Sequence, residues 1–447
     1  MKSSKQNQVY LAQSFPMPPT RNRNLSQDTS EAKSRKFTST RLLGKYEKPW
    51  LQDGSYKARE RMEKSILLLC TCIGVAIAII ICGTQWNSVV VVDYCLLLDD
   101  NFTTLNEATW SREVNTGGFG YGSFDWTTDD PQNSFVSDDG LHITPTLTLD
   151  STNITAAQLE NGYLLNTTAD GTCTSPLMGS CVKASNSANG SIINPVRSAR
   201  LTTAGKVSIK YGKVEIIAKM PAGDWLLPML WLYPEEETYG AWPRSGEIDI
   251  AQVRGNDPRS YPGGRDTVTS ALHWGLTEDS DQSDRTTGEF VRRRYDLAQG
   301  FHTYGLEWTA NKLFTWIDDE NYKIEQTGWG QTYGGDMYQR SLAGLDWANK
   351  TAAGTLPTNI WSWTGAYNTP FDRPFHLIMN VAVGSSNGFF KDGKGGKPWV
   401  DNTTTAMRDF WAANSTWLPT WGKDVDTHSM IVKSVKIWQE GKCGATS

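Results

Sequence analysis

The sequence predicts an all-β domain, a two-sheet sandwich, preceded by one membrane-crossing helix and a disordered tail. Three observations predict it. From about Asp93 onward, short apolar or alternating runs rich in β-branched and aromatic residues recur between Gly, Asn, Asp and Pro clusters, the pattern of strands joined by turns. Long stretches of helical periodicity are scarce, so strands do not alternate with helices as they would around a parallel sheet. One uncharged stretch, Ser65–Cys82, is long enough to cross a bilayer core. The 447 residues contain 38% AVILMFWYC and 40 Gly, which excludes a wholly disordered or collagen-like chain.

Residues 1–64 come first and carry 14 Lys/Arg against 6 Asp/Glu. They are rich in Ser, Thr, Gln and Asn with little apolar clustering, so they bury too little surface to offset the entropy of ordering. A basic, disordered cytoplasmic tail is expected. The remaining 383 residues carry a net charge of −13, which argues against nucleic acid as a partner of the main body.

The apolar stretch, assigned to 65–83, lacks the polar position every three or four residues that a buried soluble helix shows. It begins too far from the N-terminus for a cleaved signal peptide. Lys57, Arg59, Arg61 and Lys64 precede it and no Lys or Arg follows until Arg112, so the positive-inside rule predicts a single-pass type II signal anchor. The C-terminal part is then extracellular or lumenal, after a short stalk at 84–98. Sites of the form Asn-x-Ser/Thr follow the helix at Asn101, Asn153, Asn166, Asn189, Asn349, Asn402 and Asn414, as suits a glycosylated exterior domain. Cys70, Cys72 and Cys82 fall in the apolar stretch, leaving Cys95, Cys173, Cys181 and Cys443 outside. Four exterior cysteines allow three pairings in an oxidising compartment. Cys173–Cys181 across a short loop and Cys95–Cys443 across the domain ends is the preferred one.

The exterior domain, 99–447, supplies the strand candidates: LHITPTLTL (141–149), KVSIKYGKVEIIAKM (206–220), GEIDIAQV (246–253), FHTYGLEW (301–308), KLFTWIDD (312–319), FHLIMNVAV (375–383) and MIVKSVKIW (430–438). In a strand, side chains alternate faces, so Glu247 and Asp249 point the same way. A retaining glycosidase needs a carboxylate nucleophile and a nearby carboxylic acid. One strand supplies both only if a one-residue bulge brings the position five after Glu247 onto the same face. That position holds Gln252.

The segment YGAWPRSGEIDIAQVRGN (239–256) and its surroundings resemble the laminarinase-type members of glycoside hydrolase family 16, especially fungal ones. The resemblance also covers GGFGYGSFDWTTDD (117–130), NPVRSARL (194–201), KYGKVEIIAKMPAGDWLLPMLWLYP (210–234), GRDTVTSALHWG (264–275), and PFHLIMNVAVGSSNGFFKDG (374–393). It implies a β-jelly-roll sandwich of the concanavalin A-like kind, with a concave cleft for β-1,3-linked glucans. It implies Glu247 as nucleophile and Asp249 as helper carboxylate; Gln252 stands where the family has its acid/base Glu. It also implies sugar contacts at Trp231, Trp242, Arg254, Asn256, His273 and Trp274, although core packing is a competing expectation for each tryptophan.

No cofactor is expected. Only five His occur, with no i,i+4 pair and no exterior C-x-x-C, so a transition-metal site is unsupported. Gly384–Gly388 fits G-x-S-x-G but sits in an all-β pattern without the strand–turn–helix elbow that motif requires. Three functions stand as expectations: the first is a β-glucan hydrolase or transglycosylase of the retaining class, the second a pseudoenzyme that binds β-glucan without cutting it. A purely structural wall anchor, with no glucan affinity, is the third.

Overall fold

The computed structural model describes residues 44, 47–88, 92–120, 122–277, 279–342 and 357–444. Most of the expected tail, and Asn349, lie outside them. The chain divides into two compact units, 1–90 and 91–447.

In the first unit a helix runs over Gly54–Ser88. Asp53 starts it by accepting the Ser55 amide at 3.0 Å, an N-terminal cap. Its basic first turns contain the Lys64–Glu60 ion pair at i,i+4. The helix includes the expected apolar stretch and is long and apolar enough to cross a membrane.

The second unit is a sandwich of two eight-stranded sheets. One sheet orders its strands Asp319–Gly328, Lys312–Ile317, His302–Trp308, Gly212–Lys219, Met430–Glu440, Gly140–Ile143 and Ser134–Ser137. The other orders Thr287–Val291, Thr267–His273, Glu247–Val253, Leu226–Pro234, Phe375–Val383, Arg200–Thr202 and Ser111–Arg112. The remaining strands of these sheets are Tyr94–Asp100, paired with Met430–Glu440, and Ser208–Ile209, paired with Phe375–Val383. Tyr94–Asp100 thus begins inside the stretch expected to be a stalk. Its pairing and the Cys95–Cys443 disulfide fasten the start of the domain to its end.

Burial patterns separate the sheets. In Gly212–Lys219 burial alternates, with Val214, Ile216 and Ala218 inside and Lys213 and Glu215 half-exposed. That is a strand with one face on the core. Glu247–Val253 is buried at every position, and Ile248 and Ile250 are fully enclosed members of the apolar core. Each enclosed Ile or Leu contributes about 1.5–3 kcal/mol of transfer free energy. The run 206–220 splits at Gly212, whose φ of 150° and proximity to Trp438 O leave no room for a Cβ.

Candidate functional site

The site begins with an irregularity in the strand Glu247–Val253. Glu247 pairs with His273 and Asp249 with Ala271, but the next partner, Thr269, faces Gln252. Three residues are used where the neighbour uses two. On the other side Trp231 faces Asp249 and Met229 faces Gln252, with the same break. This bulge resets the alternation, so Glu247, Asp249 and Gln252 share one face, as the spacing required. They are 2%, 0% and 8% exposed.

His273 organises the carboxylates. Its Nε2 lies 3.0 Å from Asp249 Oδ2 and its Nδ1 2.8 Å from Asp281 Oδ2. Asp281 also accepts the hydroxyl and amide of Ser283 and the amide of Trp274. Burial pulls the imidazole pKa down, but the Glu247 charge and the hydrogen bonds to Asp249 and Asp281 outweigh it and hold the pKa well above the usual value. Burial likewise works to raise the Asp281 pKa, and the His273 interaction overcomes it to leave that carboxyl lowered. The ring is therefore an imidazolium donating from both nitrogens. Ligand atoms of Glu247, Asp249 and His273 lie within 4.8 Å of one another. The cluster has the donor types of a metal site, which the histidine spacing gave no sign of.

Glu247, His273 and Asp281 line a cleft of about 790 Å³. Trp231 donates its Nε1 to Asn380 Oδ1 at 2.8 Å. Arg200 lies over the Trp231 ring at 4.6 Å and over Phe119 at 4.0 Å, and is ion-paired with Glu113. Trp242 stands beside His273, ring centroids 5.6 Å apart. Thr174, Ser175, Pro176, Leu177 and Ser180 form another wall. This is the loop closed by the Cys173–Cys181 disulfide. Both expected disulfides are present.

Three expected sugar contacts are held elsewhere. Trp274 is fully buried and donates its indole N–H to Thr286 Oγ1, so the packing alternative applies to it. Arg254 donates to the carbonyls of Phe389 and Gly263; it fixes Phe389, which does line the cleft. Asn256 accepts the Trp225 amide and donates to Asp224, securing a turn. Sequence reasoning missed Glu113, Phe119, Arg200, Tyr233, Asp281 and Phe389. Arg200 lies within the quoted NPVRSARL segment and Tyr233 within MLWLYP, whereas Asp281 sits in a loop without a motif.

Of the expected glycosylation sites, Asn101, Asn153, Asn189 and Asn402 are exposed, and Asn166 and Asn414 are half-buried.

The chain is similar to several known proteins. Residues 151–354 match Glycosyl hydrolases family 16. A Beta-1,3-glucan-binding protein from Penaeus monodon is 34% identical over 352 residues, covering 77% of this chain and 90% of that one. A Glucan endo-1,3-beta-glucosidase from Cryptopygus antarcticus is 33% identical over 234 residues, covering 51% and 67% respectively. The solved laminarinase from Rhodothermus marinus aligns with a TM-score of 0.47 at 22% identity, over 79% of this chain and 100% of its own.

Proposed function

The chain belongs to glycosyl hydrolases family 16, and from that membership we propose that its exterior domain holds a neutral β-1,3-glucan chain and cleaves it poorly. The observation that carries this reading is Gln252 on the same sheet face as Glu247 and Asp249. In a retaining reaction Glu247 attacks the anomeric carbon while an acid protonates the departing oxygen. An amide has no proton to give at ordinary pH. Among the described cleft-lining residues, the acids besides Glu247 are Glu113 and Asp281, and each is ion-paired, with Arg200 and His273. Loss of general acid catalysis costs about 10²–10⁴-fold in rate.

The walls support a neutral sugar. Trp231, Trp242, Tyr233 and Phe119 offer aromatic surface, whereas Glu113, Glu247 and Asp281 oppose an anionic polymer. The name of the Penaeus monodon relative accords with binding. A second reading, a weak hydrolase or transglycosylase, draws support from the retained Glu247–Asp249–His273 cluster. The charge asymmetry around the apolar helix supports a type II anchor holding the domain at a glucan-bearing cell wall, and the resemblance to fungal laminarinases accords with that ligand.

The test is laminarin binding and reducing-end release for the wild type and Gln252→Glu. Binding with slow release, accelerated in the variant, is expected. Wild-type cleavage at ordinary enzyme rates, or no affinity for laminarin, would overturn the reading.

A further inference from the structure

The turn at 239–246 presents Trp242 to the cleft and, at its start, backs a second aromatic surface. Trp363 is 62% exposed, and among the described residues of the exterior domain no other tryptophan is exposed. A single exposed hydrophobic residue is ordinary. What distinguishes this one is how firmly it is held. The Arg373 guanidinium lies over its ring at 5.0 Å, and the Tyr239 ring is 5.5 Å away. Arg373 Nε donates to Tyr239 Oη at 3.0 Å, and that hydroxyl donates to Asp372 Oδ1 at 2.6 Å. Thr369 donates to the other Asp372 oxygen at 3.1 Å. Two residues before Trp363, the buried Trp361 donates its Nε1 to Arg244 O at 2.9 Å. That bond ties the loop to the turn that carries Trp242.

We propose that Trp363, supported by Tyr239 and Arg373, is an accessory stacking platform for the β-glucan chain, outside the cleft. The proposal rests on the glucan-binding reading above. A pyranose ring has an apolar face of C–H groups that lies flat on an indole, and a platform locked in advance loses little side-chain entropy on binding. The rim supplies partners for sugar hydroxyls: Arg373 and the exposed Glu236, which interacts electrostatically with Arg373.

Other occupants fit less well. Glu236 and the exposed Glu237 oppose an anionic membrane surface. A stable protein interface buries about 1,200–2,000 Å², far more than one indole and its rim provide. A glucan long enough to reach both sites gains from multivalency, because its second engagement is intramolecular. A short oligosaccharide gains nothing.

The experiment compares the full chain with Trp363→Ala, Trp363→Phe and Trp242→Ala, measuring affinity for a β-1,3-linked glucose tetramer and for long-chain laminarin. Trp363→Ala should weaken polymer binding by about tenfold or more while leaving tetramer binding within about twofold, which also shows that the variant is folded. Trp363→Phe should recover most of the polymer affinity, because a flat ring remains. Trp242→Ala should weaken both ligands. Unchanged polymer affinity in Trp363→Ala overturns the platform, and the cleft reading survives if Trp242→Ala still fails on both. Loss of binding to anionic phospholipid vesicles in Trp363→Ala, with polymer affinity intact, assigns the ring to a membrane and also overturns it. Failure of the wild type to bind either glucan overturns both readings.

Discussion

The imidazole of His273 donates from Nε2 to Asp249 across 3.0 Å, tying two neighbouring strands together on the face that carries Glu247. The other ring nitrogen is held by Asp281, so the ring cannot turn away. Only one oxygen of Asp249 is occupied; Oδ1 is buried and has no hydrogen-bond partner. An unpartnered buried carboxylate oxygen is costly.

His273 gives the fold a specific pH dependence. Its folded pKa is raised well above the usual value. The stability it contributes is therefore complete below about pH 6.5 and is lost as pH rises through the folded pKa. His273→Gln should lower stability by about 3 kcal/mol at pH 6, the order expected on breaking a buried charged network. Thermal melts across pH should show the gap from the wild type narrowing toward alkaline pH. A gap independent of pH would show that the ring acts through packing alone.

The disulfide loop should matter for both stability and binding. Closing so short a loop contributes about 2–3 kcal/mol in the chain-entropy model. The loop also lines the cleft through Thr174–Leu177. Its backbone is tied to the neighbouring segment by Thr116 N to Ser180 O and Thr174 N to Val114 O. Replacing both Cys173 and Cys181 with Ser should lower the melting temperature and weaken laminarin binding several-fold. Unaltered laminarin affinity with a lower melting temperature would limit the bridge to a structural role.

Much of this architecture was legible in the sequence, for identifiable reasons. Period-2 runs such as KVEIIAKM mark strands because one face meets the core and the other does not. The face shared by Glu247, Asp249 and Gln252 followed from their spacing once a bulge was allowed. Trp274 and Arg254 were not legible in the same way. A tryptophan or arginine beside a motif looks the same in sequence whether its polar atoms face ligand or protein. Thr286 Oγ1 and Phe389 O, which decide the matter, come from distant segments. Asp281 was missed for the same reason, since only folding brings its loop against His273.

The anchor reading makes a prediction about topology. If the +8 charge of residues 1–64 keeps them in the cytosol, protease added to intact cells should spare an N-terminal epitope tag and digest the exterior domain. Treatment with an N-glycosidase should lower the apparent mass, through sites such as the exposed Asn101 and Asn189. Digestion of the tag from outside would reverse the orientation.

If Gln252 stands in place of the general acid, as proposed, two reactions that an ordinary retaining enzyme performs together should come apart. Cleaving laminarin expels a sugar alkoxide, a poor leaving group unless an acid protonates it as the bond breaks. Cleaving an aryl β-glucoside with an acidic phenol expels a stable phenolate and needs no such acid. The wild type should therefore attack the aryl substrate through Glu247, releasing a burst of phenol. It should then stall as a glycosyl-enzyme, because the missing group would also activate the incoming water. Its turnover of laminarin should be slow while its affinity is intact. Gln252→Glu should raise laminarin turnover by about 10²-fold or more, with a smaller effect on the aryl burst. Glu247→Ala should abolish both reactions and spare laminarin binding. The discriminating measurement is the ratio of the two rates across these variants. If Gln252→Glu accelerates both substrates equally, Gln252 limits something common to them, such as the placement of Glu247, and loss of the acid is not the cause.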